Sequence, residues 1–284
     1  MAVELEIEDG SPRWYLSPNI WTVPGEDPEG EPGMPIVDTP CFMWAHVQNN
    51  GSTPVNNALV RFYWANPSVG FDRTTAHYIG SSNVSLAAGE ERDVLCLTPW
   101  VPTFVNEGHE CALAEAFHSS EDPLPDSPVF NVPTDRHVAQ RNLSVVQAMT
   151  SKKMMFSVHF SICNSSRKER TFRIYSKHGK IAELLPLQKT LGRLKIPHQA
   201  TGTIEQVGFV FQLCPTEEER AKAQPVLEKL KVPGKRCIGA TVIGKLNGEA
   251  ALIHIMQEVD GKEVGGLSIL ALSEKFHQTE RKEK

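Results

Sequence analysis

Lysine is absent from the first 147 residues, and this absence divides the chain by charge. That half has six Arg against 20 Asp plus Glu, a net charge of −14, whereas residues 148–284 have 23 Lys plus Arg against 14 Asp plus Glu, a net charge of +9. Such asymmetry is typical of surfaces that attract each other or bind different partners, although two solvated surfaces with unrelated roles would also produce it. The change near residue 147 and the length of 284 residues indicate two domains.

Long apolar runs and a secretory signal are also absent. No stretch of 18 apolar residues is available to span a membrane. Residues 1–9 alternate acidic and apolar side chains, whereas a secretory signal has a basic start followed by a continuous apolar stretch. We therefore expect no membrane span and a cytoplasmic location, with export by a non-classical route as the alternative.

Cysteine is sparse. Six cysteines in 284 residues are too few for a disulfide scaffold, and an intracellular protein keeps its cysteines as thiols. Cys163, Cys214 and Cys237 show no paired spacing, so we expect three buried thiols.

Motifs that carry catalysis are missing as well. The sequence contains no Gly-x-Gly-x-x-Gly or Walker loop, no Gly-x-Ser-x-Gly, no His-Glu-x-x-His and no Cys-x-x-Cys. These absences argue against the common nucleotide, serine-hydrolase and zinc sites. We therefore predict a protein that is not an enzyme and needs no cofactor.

A loop rich in carboxylate and imidazole groups is the main exception. Its candidate metal ligands are His118, Asp122, Asp126, Asp135 and His137. The carboxylates could hold Ca²⁺, and the two histidines would favour a transition metal. The spacing matches no EF-hand or zinc template, so an unliganded loop is the simpler interpretation. In an enzyme, His118, Asp122 and His137 would be the candidate cluster.

Period-two alternation of apolar residues dominates residues 36–147. The run Cys41–Val47 separates two alternating faces, and the turn Asn49–Ser52 follows it. About seven short strands with turns between them, and no long helical period, predict a β-sandwich. The predicted strands are Cys41–Val47, Ala58–Trp64, Tyr78–Ile79, Val84–Leu86, Asp93–Thr98, His109–Ala116 and Val138–Val146.

Several of these segments follow one another in the order of a known family. They are Val47–Gly51, Ala58–Tyr63, Ile79–Gly80, Leu86–Gly89, Trp100, Gly108–Leu113 and Asn142–Val145. Together they resemble the CARDB group, which are immunoglobulin-like bacterial modules named for a suspected role in cell adhesion. The resemblance covers about residues 36–147 and includes no catalytic motif. It implies a seven-stranded sandwich of two antiparallel sheets that serves for spacing or recognition.

Two cysteines of this region would matter in an immunoglobulin fold. Cys41 and Cys111 would lie near the positions of the inter-sheet disulfide, on the second and sixth strands. Because no export signal is present, we expect two packed thiols, with a formed bridge as the alternative.

The second half is also rich in short strands. Asp260-Gly261 is a two-residue hairpin signal between two apolar runs. Thr216–Glu219 is a capping box that opens a helix near 216–231, and Pro225 should interrupt this helix. We therefore predict an all-β fold of two tandem immunoglobulin-like antiparallel β-sandwiches, the second with a short helical insertion. The predicted strands of this half are Met154–Ile162, Thr171–Tyr175, Val207–Leu213, Ala240–Ile243, Ala250–Met256 and Gly266–Leu272.

These patterns define four segments. Residues 1–35 form an acidic lead segment, rich in proline and glycine, that packs on the first domain. Residues 36–147 form the first sandwich and residues 148–273 the second. Residues 274–284 form a highly charged tail that we expect to fray.

Two groups of residues are candidates for binding a partner. Trp14 and Trp21 either anchor the lead segment on the first domain or form an exposed aromatic platform. Arg167, Arg170 and Arg173 belong to a basic surface that suits an acidic protein or is simply solvated. We predict no nucleic-acid binding, which would require stacking aromatic rings arranged with these charges on one face.

We therefore predict a non-catalytic protein-binding or structural module. Its acidic N-terminal half and basic C-terminal half would let copies associate head to tail into an oligomer. The alternative is an exported bacterial adhesion or carbohydrate-binding accessory protein. In that case exposed tryptophans would stack on sugars and Ca²⁺ could occupy the loop 118–137.

Overall fold

A computed structural model describes the protein over residues 2–66, 68–103, 111–192 and 201–274. Strands make up 54% of it and helices 7%, so the predicted all-β class is confirmed. Residues 275–284 of the predicted tail, and the first two residues of the predicted strand His109–Ala116, lie outside the described ranges. The chain divides into two compact units; the first contains the described residues of 1–65, 71–141 and 186–195, and the second those of 66–70, 142–185 and 196–284.

The described residues of the first unit form eight strands: β1 (Leu5–Glu6), β2 (Ile20–Pro24), β3 (Cys41–Asn49), β4 (Val55–Ala65), β5 (His77–Leu86), β6 (Glu91–Leu95), β7 (Cys111–Phe117) and β8 (Val138–Arg141). In one sheet β3 is central, with β6 along one side and β2 and β1 along the other. The second sheet has the order β5-β4-β7-β8. All these pairs are antiparallel.

The core of the first unit forms where the two sheets face each other. Along β3 the side chains of Cys41, Met43, Ala45 and Val47 are buried and those between them are half-buried. This is the alternation that the sequence predicts for the strand. The buried side chains pack with apolar residues of β4 and β7 in one cluster.

In the part of the second unit that the structure describes there are eight further strands: β9 (Leu143–Ala148), β10 (Met155–Asn164), β11 (Arg170–Gly179), β12 (Gly202–Val210), β13 (Val226–Val232), β14 (Arg236–Gly248), β15 (Ala250–Val259) and β16 (Lys262–Ser273). They form a sheet of order β10-β14-β12 and a sheet of order β13-β11-β15-β16-β9. Apolar residues from both sheets share one core cluster. The pair β9–β16 is parallel, which differs from the purely antiparallel prediction.

The predicted helix near 216–231 is wrong over its second part. The helix α1 (Glu217–Ala221) has the predicted capping box at Thr216, but residues 226–232 form β13, which pairs with β11. The helix ends at Ala221, before Pro225, and Gln224 is already bridged to Phe209. The edge of β11 then offers residues 226–232 hydrogen-bond partners that a helix in this position could not use. Two 3-10 helices complete the described structure, Thr150–Lys152 and Ile181–Thr190.

The cysteines are only partly as predicted. Cys163 and Cys237 form a disulfide, with Cα atoms 4.1 Å apart, so the prediction of thiols at these two positions is wrong. They are direct neighbours across β10 and β14, a relation that strand pairing creates between residues 74 positions apart. Cys214 is an exposed thiol rather than a buried one. Cys41 and Cys111 are buried thiols, as expected.

Candidate functional site

Two turns of the second unit are held together and carry a concentration of positive charge. We call residues 164–170 and 233–237 the basic tip. The side-chain amide of Asn164 donates hydrogen bonds to the carbonyls of Lys168 (2.9 Å) and Val232 (2.8 Å). The backbone N–H of Lys235 donates to the carbonyls of Asn164 (3.0 Å) and Ser166 (2.9 Å). These bonds join the turn after β10 to the turn before β14.

Covalent and steric features reinforce this junction. The Cys163–Cys237 disulfide links the same two strands at the residue pair next to Asn164 and Arg236, the last pair of the β10–β14 ladder. A Cβ at Gly234 would lie 2.2 Å from the carbonyl oxygen of Arg167, so only glycine lets the turns approach this closely. The basic tip is therefore a fixed platform rather than two separate loops.

The charge of the basic tip is strongly one-sided. Arg167, Lys168, Arg170, Lys235 and Arg236 are exposed, and Glu169 is the single acidic residue in the two segments. Within the described residues, Arg167, Lys168, Arg170 and Arg236 make no side-chain ion pair, which leaves these four cations available to an outside partner.

The third predicted arginine lies apart from the basic tip. Arg173, on β11, has its Nε 2.9 Å from Glu228 Oε1 and its NH1 3.6 Å from Glu258 Oε2. Its guanidinium also lies 4.5 Å from the centre of the Tyr175 ring. The charge of Arg173 is thus compensated inside the unit, unlike that of Arg167 and Arg170.

The predicted metal-binding loop brings together three of its five candidate residues. His137 lies between two carboxylates, with Nδ1 2.7 Å from Asp135 Oδ1 and Nε2 3.1 Å from Asp122 Oδ1. His118 accepts a hydrogen bond from the backbone N–H of Glu121 (3.1 Å), and Asp126 is exposed. In the parts of the chain that the structure describes, no group of three or more His, Cys, Asp or Glu is placed to hold a metal ion.

The cluster around His137 has a structural role. Asp122 also accepts the backbone N–H of Leu5 (2.6 Å) and pairs with the guanidinium of Arg136. Burial lowers the pKa of His137, but the hydrogen bonds and charges of Asp135 and Asp122 outweigh this effect, so the pKa is raised. The contact of Asp122 with Leu5 holds the loop against the N-terminal strand β1, and His137 joins Asp122 to Asp135.

The two predicted tryptophans are half-buried. Trp14 makes an edge contact with Tyr15, with ring centroids 5.2 Å apart. Trp21 stacks on Trp44 across β2 and β3, with centroids 6.0 Å apart and planes inclined by 3°. Each ring is therefore partly covered by neighbours in the first unit.

A buried carboxylate in the first unit escapes sequence reasoning. Glu115 on β7 is fully buried and accepts hydrogen bonds from Tyr63 (2.7 Å) and from Arg73 Nε (2.9 Å) and NH2 (2.6 Å). Burial and the charge of Glu115 raise the pKa of Tyr63. The sequence does contain a signal for this site. Glu115 interrupts the apolar run of β7, and a glutamate buried in such a strand requires buried hydrogen-bond partners.

Fold and site together define an all-β protein with a cationic surface on its second unit. No protein-family model matches the chain, and no curated protein matches it. No helix within the described ranges is long and apolar enough to cross a membrane.

Solved structures give weak likenesses. The CARDB domain of a Pyrococcus furiosus protein, in complex with di-metal ions, aligns at 18% identity and a TM-score of 0.29, over 49% of this chain and 90% of that chain. A tip adhesin from Pseudomonas aeruginosa aligns at 10% identity and a TM-score of 0.22, over 96% of this chain and 98% of that chain. Red sea bream transglutaminase aligns at 6% identity and a TM-score of 0.23, over 90% and 31%. At these values the likenesses carry no conclusion about ligand or activity.

Proposed function

We propose that this chain is a non-catalytic protein-binding module whose basic tip binds an acidic protein surface. The observation that carries the proposal is the junction of two turns, which presents five exposed cations on one platform. A site that is already ordered loses little conformational entropy on binding. Concentrated positive charge also accelerates encounter with an acidic partner.

A second copy of the chain offers such an acidic surface. Residues 1–147 have a net charge of −14, and their lead segment contains four exposed acidic residues within six positions. These are Glu26, Asp27, Glu29 and Glu31. Contact between the acidic segment of one copy and the basic tip of the next is head to tail, and such contacts build rings or filaments.

Charge reversal in the basic tip tests this proposal. Light scattering after size exclusion, at about 50 mM salt where screening is weak, should give a species heavier than the 31.5 kDa monomer. The double variant Arg167→Glu/Arg170→Glu should elute as the monomer. The control Lys152→Glu/Lys180→Glu makes the same change of charge at exposed lysines outside the basic tip and should remain associated.

A peptide measurement tests the site without requiring self-assembly of the whole chain. A labelled peptide of residues 24–33 should bind the full chain in fluorescence anisotropy, and its version with all four acids replaced by Gln should not. Binding that survives Arg167→Glu/Arg170→Glu, together with a native protein that is monomeric, would show that the basic tip is not the binding site.

Carbohydrate binding is a second candidate, which the Trp21–Trp44 stack favours. Two parallel, half-buried indoles on neighbouring strands offer flat apolar surface to a sugar ring. Titration with a glycan panel should then change the tryptophan fluorescence, and Trp21→Ala should abolish the change. An unchanged spectrum across the panel would contradict this function.

A further inference from the structure

A cavity of about 860 Å³ opens on the second unit, away from its core. Phe156 of β10 and Val242 of β14 point into the core, so the alternate residues Met155 and Ile243 face the opposite side of the sheet. These two side chains line the cavity. The volume lies within the range of about 300–1,000 Å³ that is common for small-molecule sites.

One wall of the cavity depends on an irregularity in β12. The pairing of β12 with β14 shifts between Glu205 and Gly208, and Gln206 has a φ of 52°. A Cβ at Gly208 would lie 2.7 Å from Cβ of Ala223, so glycine allows the segment after α1 to pack against the strand. Bulges of this kind occur next to functional sites, where they change the direction of side chains.

Another part of the lining, Ser151–Lys153, belongs to a strained turn before β10. Lys153 and Met154 have φ values of 54° and 61°, which bulky residues rarely adopt. Hydrogen bonds hold the turn in this state: the N–H of Met154 donates to the carbonyl of Met149 (2.9 Å), and the N–H of Leu246 donates to the carbonyl of Met154 (3.0 Å). Strained backbone kept by its surroundings is characteristic of binding sites.

The lining combines an apolar floor with a cationic rim. Met155, Val207 and Ile243, with two alanines of the α1 segment, supply the apolar surface. Four basic residues and one acidic residue line the same cavity: Lys152, Lys153, Arg220, Lys245 and Glu217. Among the described residues none makes an ion pair with the three lysines, so the basic residues of the lining outnumber its single carboxylate without being paired to it.

We propose that this cavity binds a small organic anion with an apolar body, of the long-chain carboxylate class. The anionic group accepts hydrogen bonds from the rim lysines, and the chain lies on the floor formed by Met155, Val207 and Ile243. A cation would be repelled by the rim, and an inorganic anion would leave the apolar floor exposed to water.

This site is separate from the basic tip. It lies at the start of β10, whereas the tip begins at the end of that strand, and nine residue steps of about 3.3 Å place them about 30 Å apart. The inference therefore goes beyond the proposed protein-binding function and does not depend on it.

Displacement of a fluorescent probe tests the site on the full chain. Anilinonaphthalene sulfonate, itself an organic anion with an apolar body, should bind saturably and brighten. Dodecanoate should displace it, and dodecyltrimethylammonium, which has the same chain with the opposite charge, should not. Displacement by both to the same extent would overturn the proposal.

Substitutions of lining residues test whether the ligand binds in this cavity. Lys152→Glu/Lys245→Gln should weaken dodecanoate binding by about tenfold, which corresponds to roughly 1.4 kcal/mol. The control Lys180→Glu/Lys262→Gln makes the same change of charge outside the cavity and should alter the affinity less than twofold. Ala221→Phe should block binding, whereas Lys222→Phe, its neighbour outside the lining, should leave it intact. Native-like binding by both Lys152→Glu/Lys245→Gln and Ala221→Phe would refute the site.

Discussion

At the scale of single residues, the first unit buries the carboxylate of Glu115 together with its partners. Glu115 is fully buried, and both its oxygens are used: Oε1 accepts the hydroxyl of Tyr63, and Oε2 accepts two N–H groups of Arg73. Arg73 also lies over the ring of Phe130, 5.1 Å from its centre. A buried carboxylate is tolerated only when both its oxygens have hydrogen-bond partners, because moving an uncompensated charge out of water has a large free-energy cost.

We predict that Glu115→Ala lowers the free energy of unfolding by about 3–5 kcal/mol, because the variant leaves Arg73 charged, half-buried and without its partner. Urea unfolding of the variant and the native chain measures the difference. Glu121→Ala, which removes an exposed carboxylate 3.9 Å from His118, is the control and should change the value by less than about 0.5 kcal/mol. Equal effects of the two substitutions would contradict the role of Glu115.

The His137 cluster makes stability depend on pH in a defined direction. The folded-state pKa of His137 is raised, so its contribution is complete below the ordinary value of 6.5 and is lost as the pH rises through the folded pKa. Burial raises the pKa of Asp135, but hydrogen bonds from His137 outweigh burial and the net pKa is lowered. The contribution of Asp135 is therefore present above 3.8 and is lost as the pH falls.

We predict that the native chain loses unfolding free energy relative to His137→Gln, which lacks the titrating imidazole, as the pH rises above 6.5. Thermal unfolding in a pH series measures this difference. His178→Gln removes an exposed histidine and should follow the native curve. A native curve parallel to that of His137→Gln across this range would show that the His137 cluster does not make stability depend on pH.

At the scale of elements, the β10–β14 pair holds the basic tip together. The disulfide joins the two strands where the two turns begin, and Asn164 connects the same turns by hydrogen bonds. Closing a loop of 74 residues restricts the unfolded chain, which is the main source of disulfide stabilisation in the chain-entropy description.

We predict that Cys237→Ser lowers the unfolding free energy by about 2–4 kcal/mol. The loosened turns should also weaken binding of the acidic peptide of residues 24–33. Cys214→Ser, which changes an exposed thiol outside the bridge, should alter neither quantity. Denaturant unfolding and anisotropy together test both effects, and a Cys237→Ser variant with native stability would show that the bridge contributes little.

At the scale of the whole molecule, the charge division underlies the proposed association of copies. The first 147 residues have a net charge of −14 and the remainder +9. Attraction between exposed charges is screened over about 8 Å at physiological ionic strength and over much shorter distances at high salt. Association that depends on the basic tip should therefore respond to salt far more than association through an apolar surface.

We predict that raising the salt from about 50 to about 500 mM dissociates the heavier species to the 31.5 kDa monomer. Light scattering at both salts measures this. A second series in sodium sulfate at the same ionic strength distinguishes the two kinds of contact. Sulfate screens charge but strengthens apolar association, so an electrostatic interface should dissociate in it and an apolar interface should not. A species that persists at high salt would exclude the electrostatic interface.

Individual strands were predictable from the sequence to different degrees. Strands with strict alternation, such as Cys41–Val47, follow from the sequence because side chains on a strand point alternately to two faces. The strand Val226–Val232 does not, because its residues also suit a helix and only the open edge of β11 selects the strand. The predicted strand Val138–Val146 is divided at Asn142, whose side-chain amide donates to the carbonyls of Ser68 (2.8 Å) and Gly266 (2.7 Å).

The sequence by itself determined the all-β class and the charge division, because period-two alternation and net charge are properties of local order and composition. Only the tertiary structure decided that Cys163 meets Cys237, that Arg173 is compensated by Glu228, and that a cavity opens beside β12. Each of these depends on which strands become neighbours, and neighbours distant in sequence are selected by packing of the whole core rather than by any local pattern.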